Sequence, residues 1–358
     1  LITKLINGEV ALMIKKIKVL IVDDSMFFRT LLVDKLSKHE GLEVIGYAVN
    51  AFDAKKKIPL LKPDVVTLDV EMPKLNGIEF LKQLLPIYSV PVVLVSSVNI
   101  NVFDALSAGA VDFVKKPDIS RSGNLSIFLA ELVSKIKIAS NAQLHTIKNT
   151  ALPKKHNFQQ ITKTSFSANN TIIAIGASTG GTEATLTVLR DLPKDIPGIV
   201  IVQHMPPVFT RMYAERLNRI CEIDVKEAED GDVVRKGLAL IAPGDFHMVL
   251  SKLGTNYVVK CYKADKVSGH RPSVDVLFTS VAEVAGKNAI GVILTGMGKD
   301  GADGLLKMRK QGAYTIGQDK ESCVVYGMPM VAYNIGAVNV QASCENIASV
   351  IQKHLSEI

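Results

Sequence analysis

The sequence predicts an α/β protein of two units, each a parallel sheet covered by helices on both faces. Three observations lead there. The 358 residues exceed one ordinary domain and can fill two cores. Short apolar runs alternate with helical periodicity twice along the chain, once from Ile17 and again from Thr171. Between them the segment 139–169 breaks the rhythm with Asn, Gln, Thr, Ser and Lys, and Pro153 inside it reads as linker. The expected division is 14–138, a basic polar linker 139–169, and 170–358.

In the first unit the expected strands are Lys18–Val22, Glu43–Val49, Val65–Asp69, Pro91–Ser96 and Val111–Val114. The expected helices are Met26–His39, Ala51–Leu61, Ile78–Leu85, Val102–Gly109 and Leu125–Ile138. Runs this apolar imply strands buried on both faces, as in a parallel sheet. In the second unit Thr171–Gly176, Ile199–Gln203, Leu238–Ala242, Ala289–Thr295 and a run near Ala313–Gly317 read as strands. Met248–Ser251 and Tyr257–Tyr262 flank Gly254-Thr255 and predict an antiparallel hairpin beside the main sheet.

Composition narrows the class further. A hydrophobic content of 47% with 22% charge is that of a globular protein. No apolar run reaches the ~18–20 residues of a membrane span, so no membrane insertion is expected. Leu1–Leu12 lacks an initiator methionine and a cleavage-site pattern, and Met13 is the expected native start. The net charge of +7 sits largely in the middle, where residues 138–170 carry four lysines and no acid. A nucleic-acid surface would cluster its charge on one element with a reading motif, and none is present. Cys221, Cys261, Cys323 and Cys344 lie far apart without metal-site spacing, which predicts reduced thiols and no zinc.

Two constellations carry chemistry. Asp23 and Asp24 follow the first strand and Asp69 ends the third, at the carboxyl edge where open parallel sheets bind ligands. Carboxylates gathered there repel one another unless a hard divalent cation bridges them, which points to Mg²⁺. Ser96 and Lys116, after the fourth and fifth strands, could hold the oxygens of a phosphoryl group on Asp69. Ile21-Val-Asp-Asp-Ser25, Leu68-Asp-Val-Glu-Met-Pro-Lys-Leu-Asn-Gly77 and Lys116-Pro117 resemble the receiver domain of two-component response regulators, a flavodoxin-like (βα)5 fold. The resemblance implies Asp69 as phospho-acceptor, Asp23 and Asp24 as Mg²⁺ ligands with it, and Ser96, Phe113 and Lys116 as the switch residues.

In the second unit a β-branched strand stops at Ser178, and Gly180-Gly181 open a helix, which lifts a hydroxyl out of the end of the sheet. His204 follows the next strand, and Asp300 follows Thr295-Gly-Met-Gly-Lys-Asp-Gly301. Ser, His and Asp would then converge from three strand ends, as nucleophile, base and orienting acid. Turns such as Gly296-Met297-Gly298 allow backbone N–H groups to approach an oxyanion. His247 and His270 compete with His204 on spacing alone, and Asp319 with Asp300.

Gly176-Ala-Ser-Thr-Gly-Gly181, Gln203-His-Met-Pro-Pro-Val-Phe-Thr210, Ala242-Pro-Gly-Asp245, His270-Arg-Pro-Ser-Val-Asp275, Leu294-Thr-Gly-Met-Gly-Lys-Asp-Gly-Ala302 and Val325-Tyr-Gly-Met-Pro329 together resemble the chemotaxis protein-glutamate methylesterase/protein-glutamine glutaminase family (CheB-type). Gly317-Gln-Asp-Lys320 departs from the family pattern, in which an alanine more usually precedes and a glutamate follows Gln-Asp. The resemblance implies a doubly wound parallel α/β methylesterase domain, with Ser178, His204 and Asp300 as the triad and the Met297 amide as oxyanion donor. It implies chemotaxis receptors as substrate and a chemotaxis histidine kinase as phosphodonor. A cytoplasmic monomer with no cofactor at the hydrolase site is expected, its receiver blocking the catalytic rim until phosphorylated. A DNA-binding regulator and a non-catalytic receptor adaptor are the rival classes; the missing helix-turn-helix and the intact Ser178, His204 and Asp300 argue against them.

Overall fold

A computed structural model describes residues 2–6, 9–13, 15–73, 75–96, 101–118, 123–144 and 170–358. The chain divides into two compact units, Leu1–Thr150 and Ala151–Ile358. The predicted linker lies, from residue 145 to 169, outside the described residues.

The first unit opens on two antiparallel strands, β1 (Ile2–Ile6) and β2 (Glu9–Met13), which the sequence reading did not anticipate. The sheet proper follows as β3 (Ile17–Val22), α1 (Met26–Ser37), β4 (Leu42–Ala48), α2 (Ala51–Leu61), β5 (Val65–Leu68), α3 (Gly77–Leu84), β6 (Val92–Ser96), α4 (Asn101–Ser107), β7 (Asp112–Lys115) and α5 (Asn124–Ala139). Its order is β4-β3-β5-β6-β7, all parallel. The chain reverses direction across the sheet between β3 and β5, which opens a crevice beyond their carboxyl ends.

In the second unit the order along the chain is β8 (Ile172–Ala177), α6 (Gly181–Arg190), β9 (Gly198–Gln203), α7 (Phe209–Ile220), β10 (Asp224–Glu227) and β11 (Leu238–Ile241). The hairpin β12 (His247–Leu253) and β13 (Asn256–Tyr262) comes next. Then follow α8 (Val274–Ala285), β14 (Ala289–Ile293), α9 (Ala302–Lys310), β15 (Tyr314–Gln318), α10 (Met328–Asn334), β16 (Val340–Ala342) and α11 (Ile347–Glu357). The seven-stranded parallel sheet runs β10-β11-β9-β8-β14-β15-β16. Every residue of β8, β9 and β14 is buried, as a sheet covered on both faces requires. The hairpin forms its own two-stranded sheet around Gly254-Thr255. Two strands escaped the sequence reading, β10 and β16. Both are edge strands with mixed exposure, so neither carries the apolar run that betrays a central strand.

Here the switch point lies between β8 and β14, since the chain winds from β8 through β9 to one edge and returns on the other side. Ser178 leaves β8, His204 leaves β9, and the loop after β14 carries Asp300.

Candidate active site

Ser178 is held through its backbone. Its N–H donates to the Thr295 carbonyl at 3.0 Å, and its own carbonyl accepts from Gly181 N–H at 2.8 Å and from Gln203 Nε2 at 2.8 Å. None of these bonds uses the hydroxyl. Gly296 passes so close that a Cβ there would lie 2.7 Å from Ser178 Cβ and 2.3 Å from Met328 Sδ, so only glycine fits.

His204 is tied to the same strand end, its N–H donating to Ala177 O at 3.1 Å. Its Nε2 lies 2.8 Å from Asp300 Oδ2, and its side chain is only 7% exposed. Nε2 is therefore the donor to the carboxylate, which leaves Nδ1 with the lone pair. Nδ1 is buried and has no hydrogen-bond partner among the described residues. Among the described residues no hydrogen bond joins it to Ser178 Oγ; such contacts are often loose before substrate binds.

Asp300 is almost wholly buried and gathers four donors. Ser273 Oγ donates to Oδ1 at 2.7 Å, Val274 N–H to Oδ2 at 2.7 Å and Asp275 N–H to Oδ1 at 3.2 Å, besides His204. The two amides open α8, whose N-terminus favours a negative charge. Burial alone would push this carboxyl up, but the His204 bond and charge, with Ser273 and Val274, outweigh it and hold it at about 2.

Asp275 behaves oppositely. Burial pushes it up to about 6, against the bond from Gly304 N–H and with help from the Asp300 charge. A raised carboxyl contributes stability that is full below the ordinary carboxylate range and is lost as pH rises through about 6. Near neutral pH the folded protein thus bears an ionised, half-buried carboxylate costing roughly 2 kcal/mol. Asp275→Asn keeps the acceptor for Gly304 and removes the charge. It is expected to raise the melting temperature near neutral pH and to change nothing below about pH 4. An equal effect at both pH values would contradict the assignment.

The competitors separate cleanly. His247 Nε2 donates to the Asp265 carbonyl, and Asp319 accepts from Ser322. His270 stays at the site, stacked on His204. Met297 leaves its side chain half exposed, and its N–H makes no backbone hydrogen bond among the described residues, whereas Gly296 N–H donates to Val325 O. Ser273 and Gln203 were missed as site residues, although both stand inside strings quoted from the sequence.

The first unit holds a second site. Ligand oxygens of Asp23, Asp24 and Asp69 lie within 4.8 Å of one another, Asp24 facing solvent. Lys116 Nζ sits 2.7 Å from Asp69 Oδ2 and 2.9 Å from Asp23 Oδ2, with the Phe28 ring face 4.8 Å away. Asp23 Oδ2 is a buried carboxylate oxygen that faces the Lys116 ammonium, an anionic position suited to a cation. Burial, with the Asp23 charge, pushes Asp69 up despite the Lys116 bond. Ser96 Oγ is buried at the end of β6 with no hydrogen-bond partner among the described residues, and Phe113 packs edge-on to Phe103.

Residues 173–351 match the CheB methylesterase family, and residues 19–122 match the response regulator receiver domain. A protein-glutamate methylesterase/protein-glutamine glutaminase of Syntrophomonas wolfei is 52% identical over 347 residues, 96% of this chain and 99% of its own. The chain belongs to the CheB methylesterase family. Its counterpart in Salmonella typhimurium is 45% identical over 96% of this chain and 97% of its own. The crystal structure of the Thermotoga maritima CheB methylesterase catalytic domain covers 53% of this chain and 99% of its own, at 40% identity and a TM-score of 0.51. The Syntrophomonas and Salmonella relatives, which cover 96% of this chain, span both sites described above.

Proposed function

We propose that this chain is a phosphorylation-regulated serine hydrolase that removes methyl groups from glutamate methyl esters, and deamidates glutamines, on chemotaxis receptors. The observation that carries this reading is the 2.8 Å bond from His204 Nε2 to a fully buried, ionised Asp300, on the strand end next to Ser178. Ser178 Oγ attacks the side-chain carbonyl carbon, and its proton passes to His204 Nδ1. Asp300 opposes the charge of the resulting imidazolium. The Met297 N–H steadies the oxyanion, a contribution worth about 10²–10³ in rate for one such donor. The intermediate collapses to an acyl-enzyme, and the proton on His204 leaves with methanol, or with ammonia from an amide. Water deprotonated by His204 then frees Ser178 and the glutamate carboxylate.

Asp69 accepts the phosphoryl group from the histidine kinase of the same cytoplasmic pathway. Asp23, Asp24 and Asp69 would hold Mg²⁺, which offsets negative charge during the transfer. Ser96 and Lys116 take the phosphoryl oxygens and Phe113 follows the switch.

Methanol released from methylated receptor membranes tests the whole reading, with and without a small phosphodonor. A rise in rate on adding the phosphodonor is expected for the wild type and none for Asp69→Asn, which keeps its basal rate. Absence of methanol from the phosphorylated wild type would sink the enzymatic reading.

A further inference from the structure

The His204 ring is held along its edge by one hydrogen bond, from Nε2 to Asp300. The Cβ–Cγ bond and this hydrogen bond fix two points of the ring and leave it free to turn about the line between them, and Nδ1 has no hydrogen-bond partner among the described residues to stop it. What restrains the plane is His270, whose imidazole lies face to face with that of His204, centroids 3.8 Å apart and planes within 7°. In a parallel stack the N–H bonds lie in the ring planes, so the two rings cannot exchange a hydrogen bond. Their contact is one of faces, and it fixes an orientation.

His270 is itself braced. Val267 and His270 exchange backbone hydrogen bonds of 3.1 and 2.9 Å across Ser268 and Gly269, both at positive φ (53° and 83°), a two-residue turn of the I′ kind. A serine in that region is uncommon, and such strain gathers where the chain must hold a particular geometry. Directly after His270, Arg271 Nε donates to Asp245 Oδ1 at 2.9 Å, and Asp245 N–H returns a bond to Arg271 O at 3.2 Å. Two residues further on, Ser273, Val274 and Asp275 grip Asp300. One segment, 267–275, thus holds both the carboxylate on the edge of His204 and the ring on its face.

We propose that His270 is a positioning residue of the hydrolase, holding the His204 ring in the plane that presents Nδ1 to the serine hydroxyl. The proposal rests on reading His204 as the base of the reaction. A misplacement of about 1 Å in a reacting group costs up to about 10² in rate. His270→Ala in the full-length protein is therefore expected to lower kcat roughly 10- to 100-fold with KM unchanged. His270→Phe, which restores a flat face without a titrating nitrogen, should recover most of that loss.

A second readout needs no substrate. In imidazole-¹⁵N-labelled protein, His204 should show one tautomer, protonated at Nε2, in the wild type and in His270→Phe. In His270→Ala the same tautomer should persist, because the Asp300 bond remains, but the Nδ1 resonance should shift and broaden as the ring plane turns. An unchanged kcat in His270→Ala overturns the proposal. So does a His270→Phe enzyme as slow as His270→Ala, which would give the second imidazole a chemical role, and so does a rise in KM alone, which would make it a substrate contact. If His204→Ala keeps full activity while the Nδ1 resonance responds to His270→Ala as expected, the reading of the base fails and with it the positioning role in the reaction, and only the restraint of one ring by the other stands.

Discussion

Ser178→Ala is expected to lower methanol release by about 10⁴–10⁶-fold while leaving the protein folded. The size follows from the chemistry, because without the hydroxyl no acyl-enzyme forms and only positioning and the oxyanion donor remain. The preserved fold follows from the structure. The bonds that pin residue 178 run from its N–H to Thr295 and from Gly181 and Gln203 to its carbonyl, and alanine keeps all of them. Three measurements check this together: methanol release, the melting temperature, and a mass shift for trapped acyl-enzyme in the wild type only. A variant that still releases methanol near the wild-type rate would show that the nucleophile lies elsewhere.

Asp300→Asn should cost less but still about 10³–10⁴-fold in kcat. The carboxylate accepts from four donors, two at each oxygen. An asparagine brings an NH₂ group into a shell built only of donors. If the amide nitrogen faces His204, the imidazole must become the acceptor at Nε2 and carry its proton on Nδ1. Nδ1 can then no longer take a proton from serine. If the nitrogen is turned to the other side, it meets Ser273 Oγ and the Asp275 N–H, and one amide of α8 loses its acceptor. Because Asp300 is held at about 2, it stays ionised from pH 5 upward, and activity lost on mild acidification belongs to other groups. A pH–rate profile of the wild type checks that point, and the ¹⁵N tautomer of His204 in Asp300→Asn checks the mechanism of the loss. A variant with unaltered kcat would remove Asp300 from the reaction.

Much of the fold was legible along the chain. Central strands such as β8 and β14 are continuous apolar runs because both their faces are buried, and that requirement is written locally. The edge strands β10 and β16 were not legible, because an edge half open to solvent tolerates Asp, Lys, Glu and Gln. In the candidate site, Ser178, His204 and Asp300 stood out since each ends a strand or its loop. Ser273 and Gln203 did not, because their part is to hold other groups, and a supporting side chain carries no spacing signature of its own.

By itself the sequence determined the two α/β units, the strand ends that bear chemistry, and the residue types at each. Those are properties of local runs, set by burial of neighbours and by turn residues. Only the tertiary structure decided how the groups face one another. His204 and Asp300 are 96 residues apart, and which ring nitrogen meets the carboxylate depends on the packing of loops from different strands. The same holds for the amides of α8 that keep Asp300 ionised, for the face of His270 against His204, and for the gathering of Asp23, Asp24, Asp69 and Lys116. Side-chain orientation and the field at a buried charge are set by long-range contacts, and no local pattern encodes them.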